Sequence, residues 1–265
     1  MNKKDTFDIS QKRVLLVGGT GVLGRVYAKA IASRGSLLVI GDRPGSDVLH
    51  MAAELRGNVK GVEVDVTDES SVCQGVKEAV EFLGGLDAVI NNAALTGESL
   101  LARRDVFAPF EEYPLSAFRA VLDVNLTGTF LVAREAGRVM KKAGSGSLIN
   151  VSSIYGIVGP DHRIYEGQPF KSMPGYSASK AGVIGLTRWL ATWWGQDGIR
   201  VNCVVPGGVY NNHSESFVRA YGSRTPLGRM ADREELTGII IYLIADASSY
   251  CTGQSFIIDG GFTAW

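Results

Sequence analysis

Tyr176 and Lys180 stand four residues apart in the segment MPGYSASKAG. On a helix that spacing places both side chains on one face, their β-carbons about 5–6 Å apart. Ser153 lies at the end of the apolar run SLINV, 23 residues before the tyrosine. A phenol beside an ammonium, with a serine hydroxyl near by, can take a proton from an alcohol or return one to a ketone. A free phenol titrates near ~10, too high for a base at neutral pH. The adjacent ammonium favours the phenolate and lowers that value. Taken singly, each residue has a plainer use: a surface helix pair, a turn serine, a capping group.

A second group of residues suits a phosphate-bearing ligand. Gly18, Gly21 and Gly24 follow the apolar run RVLLV and open a helical segment. Absent β-carbons permit a tight turn, close approach of a pyrophosphate and close packing of helix on strand. Thr20, Val22 and Leu23 share this turn, where the helix amino terminus offers free N–H groups. Asp42 ends the next apolar run, 18 residues after Gly24. A carboxylate there accepts hydrogen bonds from both hydroxyls of an adenosine ribose and repels a 2′-phosphate, which favours NAD over NADP. Arg43, the next residue, is suited to holding such a phosphate.

These residues must be held by the elements around them. Apolar runs at 13–17, 37–40, 62–66, 86–90, 147–151, 199–205 and 255–258 alternate with helical segments. Near-continuous apolar strands separated by helices indicate a parallel sheet covered on both faces. We expect one α/β domain over 1–265, a doubly wound Rossmann-like sheet of about seven strands. Residues 1–11 read as a polar leader, 96–114 and 160–175 as long loops at the site, and 210–229 as a polar, loop-like lid. Thr67-Asp68-Glu69-Ser70 reads as a helix start.

The totals exclude other classes. The 265 residues balance 27 basic against 27 acidic side chains, so nothing points to nucleic acid or an anionic membrane. Three scattered cysteines argue against a disulfide framework and suit a reducing, cytoplasmic setting. His50, His162 and His213 show no ligand spacing, so no metal is expected. No signal peptide and no apolar run of about 20 residues is read.

Asp65-Val66, Asn91-Asn92-Ala93-Ala94, Asn125, Ser153, Tyr176-x-x-x-Lys180, Pro206-Gly207 and Asp259-Gly260-Gly261 complete a set that runs nearly the full length. In that order the chain resembles the short-chain dehydrogenase/reductase family. The resemblance implies a catalytic tetrad of Asn125, Ser153, Tyr176 and Lys180, with Asn125 anchoring a water that relays protons. It implies cofactor contacts from Asp65 and Val66 at the adenine, Asn92, Ala93 and Ala94 at the ribose, and Pro206, Gly208 and Val209 at the nicotinamide. Lys180 would hold the nicotinamide ribose. It further implies a homo-oligomer, tetramer or dimer, through the long helices starting near Ser116 and Tyr176. The glycine turn departs from the family's usual form at Val17 and Val22.

The interval from Ser153 to Tyr176 exceeds the family's common length by roughly ten residues, on the resemblance. Its side chains His162, Arg163, Tyr165, Glu166 and Lys171, with Arg103 and Arg104 of the other long loop, suggest a polar, charged lip. A lip of that kind fits a polar small molecule such as a sugar, sugar acid or polyol. The expected function is hydride transfer between a nicotinamide cofactor and a secondary alcohol or ketone. The alternatives are an NADPH-dependent reductase of 3-oxoacyl or other ketones, and a cofactor-sensing protein without chemistry.

Overall fold

The computed structural model describes residues 5–102 and 104–265, with the side chain of Arg104 also outside the description. Seven strands form one sheet in the order β3-β2-β1-β4-β5-β6-β7, every neighbouring pair parallel. They are β1 (Arg13–Val17), β2 (Leu37–Asp42), β3 (Val59–Glu63), β4 (Ala88–Asn91), β5 (Gly146–Val151), β6 (Ile199–Pro206) and β7 (Ser255–Ile258). The doubly wound architecture is therefore as the alternation of apolar runs and helices indicates.

Buried side chains gather on both faces of the sheet. One face packs Val14, Leu16, Leu38 and Ile40 against helices α1 (Val22–Ala32), α2 (Val48–Glu54) and α8 (Thr237–Ile244). The other packs Leu15, Val17 and Val39 against α3 (Glu69–Leu83), α5 (Gly128–Ala143) and α6 (Pro174–Trp194). Burial on both faces explains why the central strands are mostly apolar. The start of α3 is as expected: the Asp68 carboxylate caps it by accepting the N–H groups of Ser70 and Ser71.

Several boundaries differ from the sequence reading. The third strand is Val59–Glu63 rather than 62–66, because the Asp65 carboxylate accepts from the Thr67 N–H and hydroxyl and turns the chain. The leader is not wholly free: Ile9 is buried in the core, and its carbonyl accepts the Ser36 hydroxyl at 2.7 Å. Residues 210–229 hold a helix, α7 (Glu215–Gly222), capped by Ser214 and burying Phe217 and Tyr221. Helix α4 (Leu115–Leu122) runs into α5 through one π turn at Asp123–Thr127. The combined Leu115–Ala143 helix has the length and apolar content of a membrane span. It packs against α3 and α6, as a core helix does.

Candidate active site

The strand ends β1, β4, β5 and β6 open into a cavity of about 510 Å³. It runs from Gly21, Val22 and Leu23 past Asn92 and Ala94 to Ser153, Tyr176 and Lys180, with Pro206–Val209 along one side. Such crevices beyond the carboxyl ends of parallel strands are where doubly wound folds bind ligands.

At the cofactor end, the glycines act through close approach. Gly18 has φ +84°, and a β-carbon there would fall on the backbone of Asn92 and Ala93. A β-carbon on Gly24 would fall on the Gly18 and Gly19 carbonyls. The Asn92 amide donates to the Gly18 carbonyl at 2.7 Å, tying β4 to the turn. Helix α1 begins with no side-chain cap and no acidic residue in its first turn, so its amino terminus is open to phosphate. Asp42 Oδ2 accepts the Thr20 N–H and hydroxyl, each at 2.8 Å, which fixes the carboxylate against the turn. Arg43 is exposed beside it, and Val66 is buried under Gly128. These residues fit a nicotinamide dinucleotide.

At the reaction end, Ser153, Tyr176 and Lys180 line one cavity, and Asn125 is tied to the same helix through the Ser179 hydroxyl. The Ser153 hydroxyl accepts the Tyr155 N–H at 3.2 Å, leaving its proton free to donate. Lys180 is buried, donates to the Val151 carbonyl at 2.8 Å and lies 5.7 Å from the Tyr176 ring centroid. Burial pulls its ammonium down to about 8. The Tyr176 phenol is pushed above its ordinary value by burial and by the Glu98 carboxylate, while the Ser153 hydroxyl draws it down. Lys180 does not figure among the influences on the phenol in the protein alone, where its ammonium donates to Val151.

Asn125 sits in the π turn, completely buried. Its amide accepts the Leu95 N–H at 2.7 Å and donates to the Leu95 carbonyl and to the Ser179 hydroxyl. The extra residue of a π turn re-aims this side chain toward the loop after β4. Below the site, Asn91 donates to Asn150 at 2.8 Å and Asn150 to Thr187 at 2.9 Å, a buried polar rung joining β4, β5 and α6.

The insertion is not the charged lip that its composition suggests. His162, Arg163 and Glu166 are exposed and none of them lines the cavity, whereas Tyr165 and Lys171 of the same set do. Asp161 caps a 3₁₀ turn and pairs with Arg163 at 2.7 Å, which turns the charges outward and buries Ile164 and Tyr165. Arg103 and the Arg104 side chain lie outside the described residues. The cavity wall is aromatic instead: Tyr155, Tyr165, Phe170, Phe217 and Tyr221. Tyr165 and Phe170 meet edge to face at 5.8 Å, and Phe170 lies 5.3 Å from Phe217.

Sequence reasoning also missed a pair across the mouth. Glu98 Oε1 is 2.7 Å from His213 Nε2, joining the 96–114 loop to the segment before α7. The Asn211 N–H donates to Nδ1, so Nδ1 is the acceptor and Nε2 carries the proton given to Glu98. The imidazole stacks on Phe217 at 4.9 Å. No motif marked these two residues, which stand 115 positions apart.

A dinucleotide cradle running into a Ser-Tyr-Lys centre defines an oxidoreductase that moves hydride at a carbinol carbon. Comparison with known proteins agrees. A family model described as enoyl-(acyl carrier protein) reductase matches residues 20–263. The 3-alpha-(or 20-beta)-hydroxysteroid dehydrogenase of Mycobacterium tuberculosis is 36% identical over 253 residues, covering 96% of this chain and 90% of that protein. Cis-4-hydroxycyclohexanecarboxylate dehydrogenase of Sinomonas cyclohexanicum is 35% identical over 261 residues, covering 96% and 98%. The structure of a gluconate 5-dehydrogenase from Burkholderia cenocepacia in complex with NADP and tartrate superposes with a TM-score of 0.86 at 27% identity, covering 98% of both chains. The chain belongs to the short-chain dehydrogenase/reductase family and acts on secondary alcohols or ketones.

Proposed function

We propose that this enzyme is an NAD-linked dehydrogenase of ring-bearing secondary alcohols, with Asn125, Ser153, Tyr176 and Lys180 as its catalytic set. The carrying observation is that one cavity joins the glycine turn to the aromatic wall, with Ser153 and Tyr176 between them. Bound nicotinamide would supply the acceptor for hydride. Ser153 donates to the substrate oxygen, and Tyr176 takes the hydroxyl proton as phenolate or returns it as phenol. Lys180 holds the ribose and supplies positive charge, which draws the buried phenol back toward its working range. Asn125 fixes the Leu95 peptide beside the tetrad and anchors the proton relay. Aromatic rings exclude water and orient an alicyclic skeleton by its faces.

Asp42 supports NAD, since a 2′-phosphate would meet its fixed carboxylate. The second reading, an NADPH-dependent reductase of 3-oxoacyl or other ketones, is favoured by exposed Arg43 and by the NADP bound in the gluconate 5-dehydrogenase. Segment 210–229 serves as a lid. The enzyme is a cytoplasmic homo-oligomer, supported by the exposed, stacked Trp189 and Trp193 on α6.

The deciding experiment is a steady-state screen of alicyclic alcohols, steroid alcohols, sugars, sugar acids and polyols with NAD and with NADP. Preference for alicyclic alcohols with NAD is expected. Preference for open-chain polyols overturns the substrate class, and tighter binding of NADP overturns the cofactor.

A further inference from the structure

The Glu98–His213 pair does more than close the mouth. His213 Nδ1 accepts the Asn211 N–H, which leaves Nε2 to face Glu98 as the donor. The bond it donates goes to Glu98 Oε1, and among the described residues Oε2 has no partner. The imidazole side chain is 5% exposed and the carboxylate 39%, so a buried ring steers a half-exposed anion that lines the cavity. Phe170 and Phe217 flank His213 at 6.0 and 4.9 Å, so a ligand reaching Glu98 passes aromatic faces.

The charge is felt inside the site. Glu98 raises both the Tyr176 and the Tyr165 phenol, so its field reaches the reacting end of the cavity. Apart from the catalytic Lys180, the other charged side chain among the described lining residues is Lys171. Lys171 is exposed and does not figure among the influences on either phenol. A carboxylate with one oxygen unpartnered among the described residues, set at the end of aromatic walls, is the arrangement that receives an ammonium: ion pairing from the anion and cation–π attraction from the rings.

We infer that Glu98, oriented by His213, is a specificity-determining residue that selects secondary alcohols and ketones bearing a protonated amine remote from the carbinol, and rejects those bearing a carboxylate there. This rests on the ring-bearing carbinol reading above. A neutral hydroxyl at that end can also donate to Oε2, but gains nothing from the charge.

Three probes share one skeleton and differ in charge: 4-aminocyclohexanol, 4-methylcyclohexanol and 4-hydroxycyclohexanecarboxylate. Wild-type oxidation is expected to favour the amine over the carboxylate by about tenfold or more in kcat/KM at low salt. Glu98→Gln keeps the oxygen that accepts from His213 and removes the charge. It should bring the amine and carboxylate within about threefold of each other, while 4-methylcyclohexanol at the same pH reads the separate effect of a lowered phenol. His213→Phe, which keeps a stacking ring but frees the carboxylate, should weaken the preference without abolishing turnover. An equal or carboxylate-favouring ratio in the wild type, or a ratio untouched by Glu98→Gln, overturns the inference while turnover of 4-methylcyclohexanol still upholds the carbinol reading. If none of the three is oxidised, that reading fails. Calorimetric titration of the amine and carboxylate probes into enzyme saturated with reduced cofactor then judges the charge selection separately. Tighter amine binding supports it, and equal or weaker amine binding sinks it.

Discussion

Tyr176 is held in a protonated state by its surroundings until something offsets them. Burial and Glu98 raise its phenol, and Ser153 lowers it. The phenolate fraction therefore grows with pH, so alcohol oxidation should accelerate from pH 6 to 10 and ketone reduction should run the other way. Glu98→Gln removes one raising influence and should move both profiles toward acid; a flat oxidation profile, with chemistry rate-limiting, would sink the base assignment. Tyr176→Phe should lower kcat by roughly 10²–10⁴-fold with cofactor binding nearly intact, and undiminished turnover would count against the mechanism. Lys180 gives a stability signature. Its folded value of about 8 lies below the ordinary lysine value of 10.5, so the unfolded chain binds more protons between those limits. The protein without cofactor should therefore grow more stable across that interval, and Lys180→Met should remove the slope from urea midpoints measured between pH 8 and 10. That Ser153, Tyr176 and Lys180 share a cavity was legible because they fall at a strand end and at helical spacing. Glu98 and His213 were not, since neither belongs to a pattern and only the fold brings them within 2.7 Å.

At the scale of elements, α7 and the insertion form one aromatic unit. Phe217 touches Tyr165, Phe170 and His213, so α7 and the 160–175 loop share a core of their own. Phe217→Ala should cost about 3–5 kcal/mol of local packing. The expected readout is faster amide exchange over 162–170 and 213–222 and a raised KM, with the central strands still protected; unchanged exchange in the insertion would show that the two segments do not support each other. The sequence of α7 concealed it: eight residues carry only two buried aromatics, four apart, among Ser, Glu and Arg, too few turns for a period to emerge. The insertion misled for a different reason. Its charges are real, but Asp161 takes Arg163, and also meets Arg224 at 3.3 Å, so they face outward and leave the tyrosine and phenylalanine inside.

For the whole molecule, the sheet was the most legible part, because seven apolar runs admit few arrangements once helices separate them. Less legible was what the outer faces are for. Trp189 and Trp193 are 57% and 63% exposed and stack at 5.3 Å, while Phe130 on neighbouring α5 is 43% exposed under Arg134. A surface of that kind fits self-association. Trp189→Glu together with Trp193→Glu should lower the mass seen by sedimentation to that of a monomer, and an unchanged mass would place the subunit contact elsewhere.

The tie between Asn92 and Gly18 has a temporal consequence. The turn that receives the phosphates is written in residues 18–24, yet its floor is the backbone of Asn92 and Ala93. Strand β1 pairs with β2 and β4, and the second pairing closes a loop of more than seventy residues. During synthesis the glycine turn thus emerges early and waits, unsupported, until β4 docks. A nascent chain that ends before Asn92 has the letters of a nucleotide site and no place to bind one.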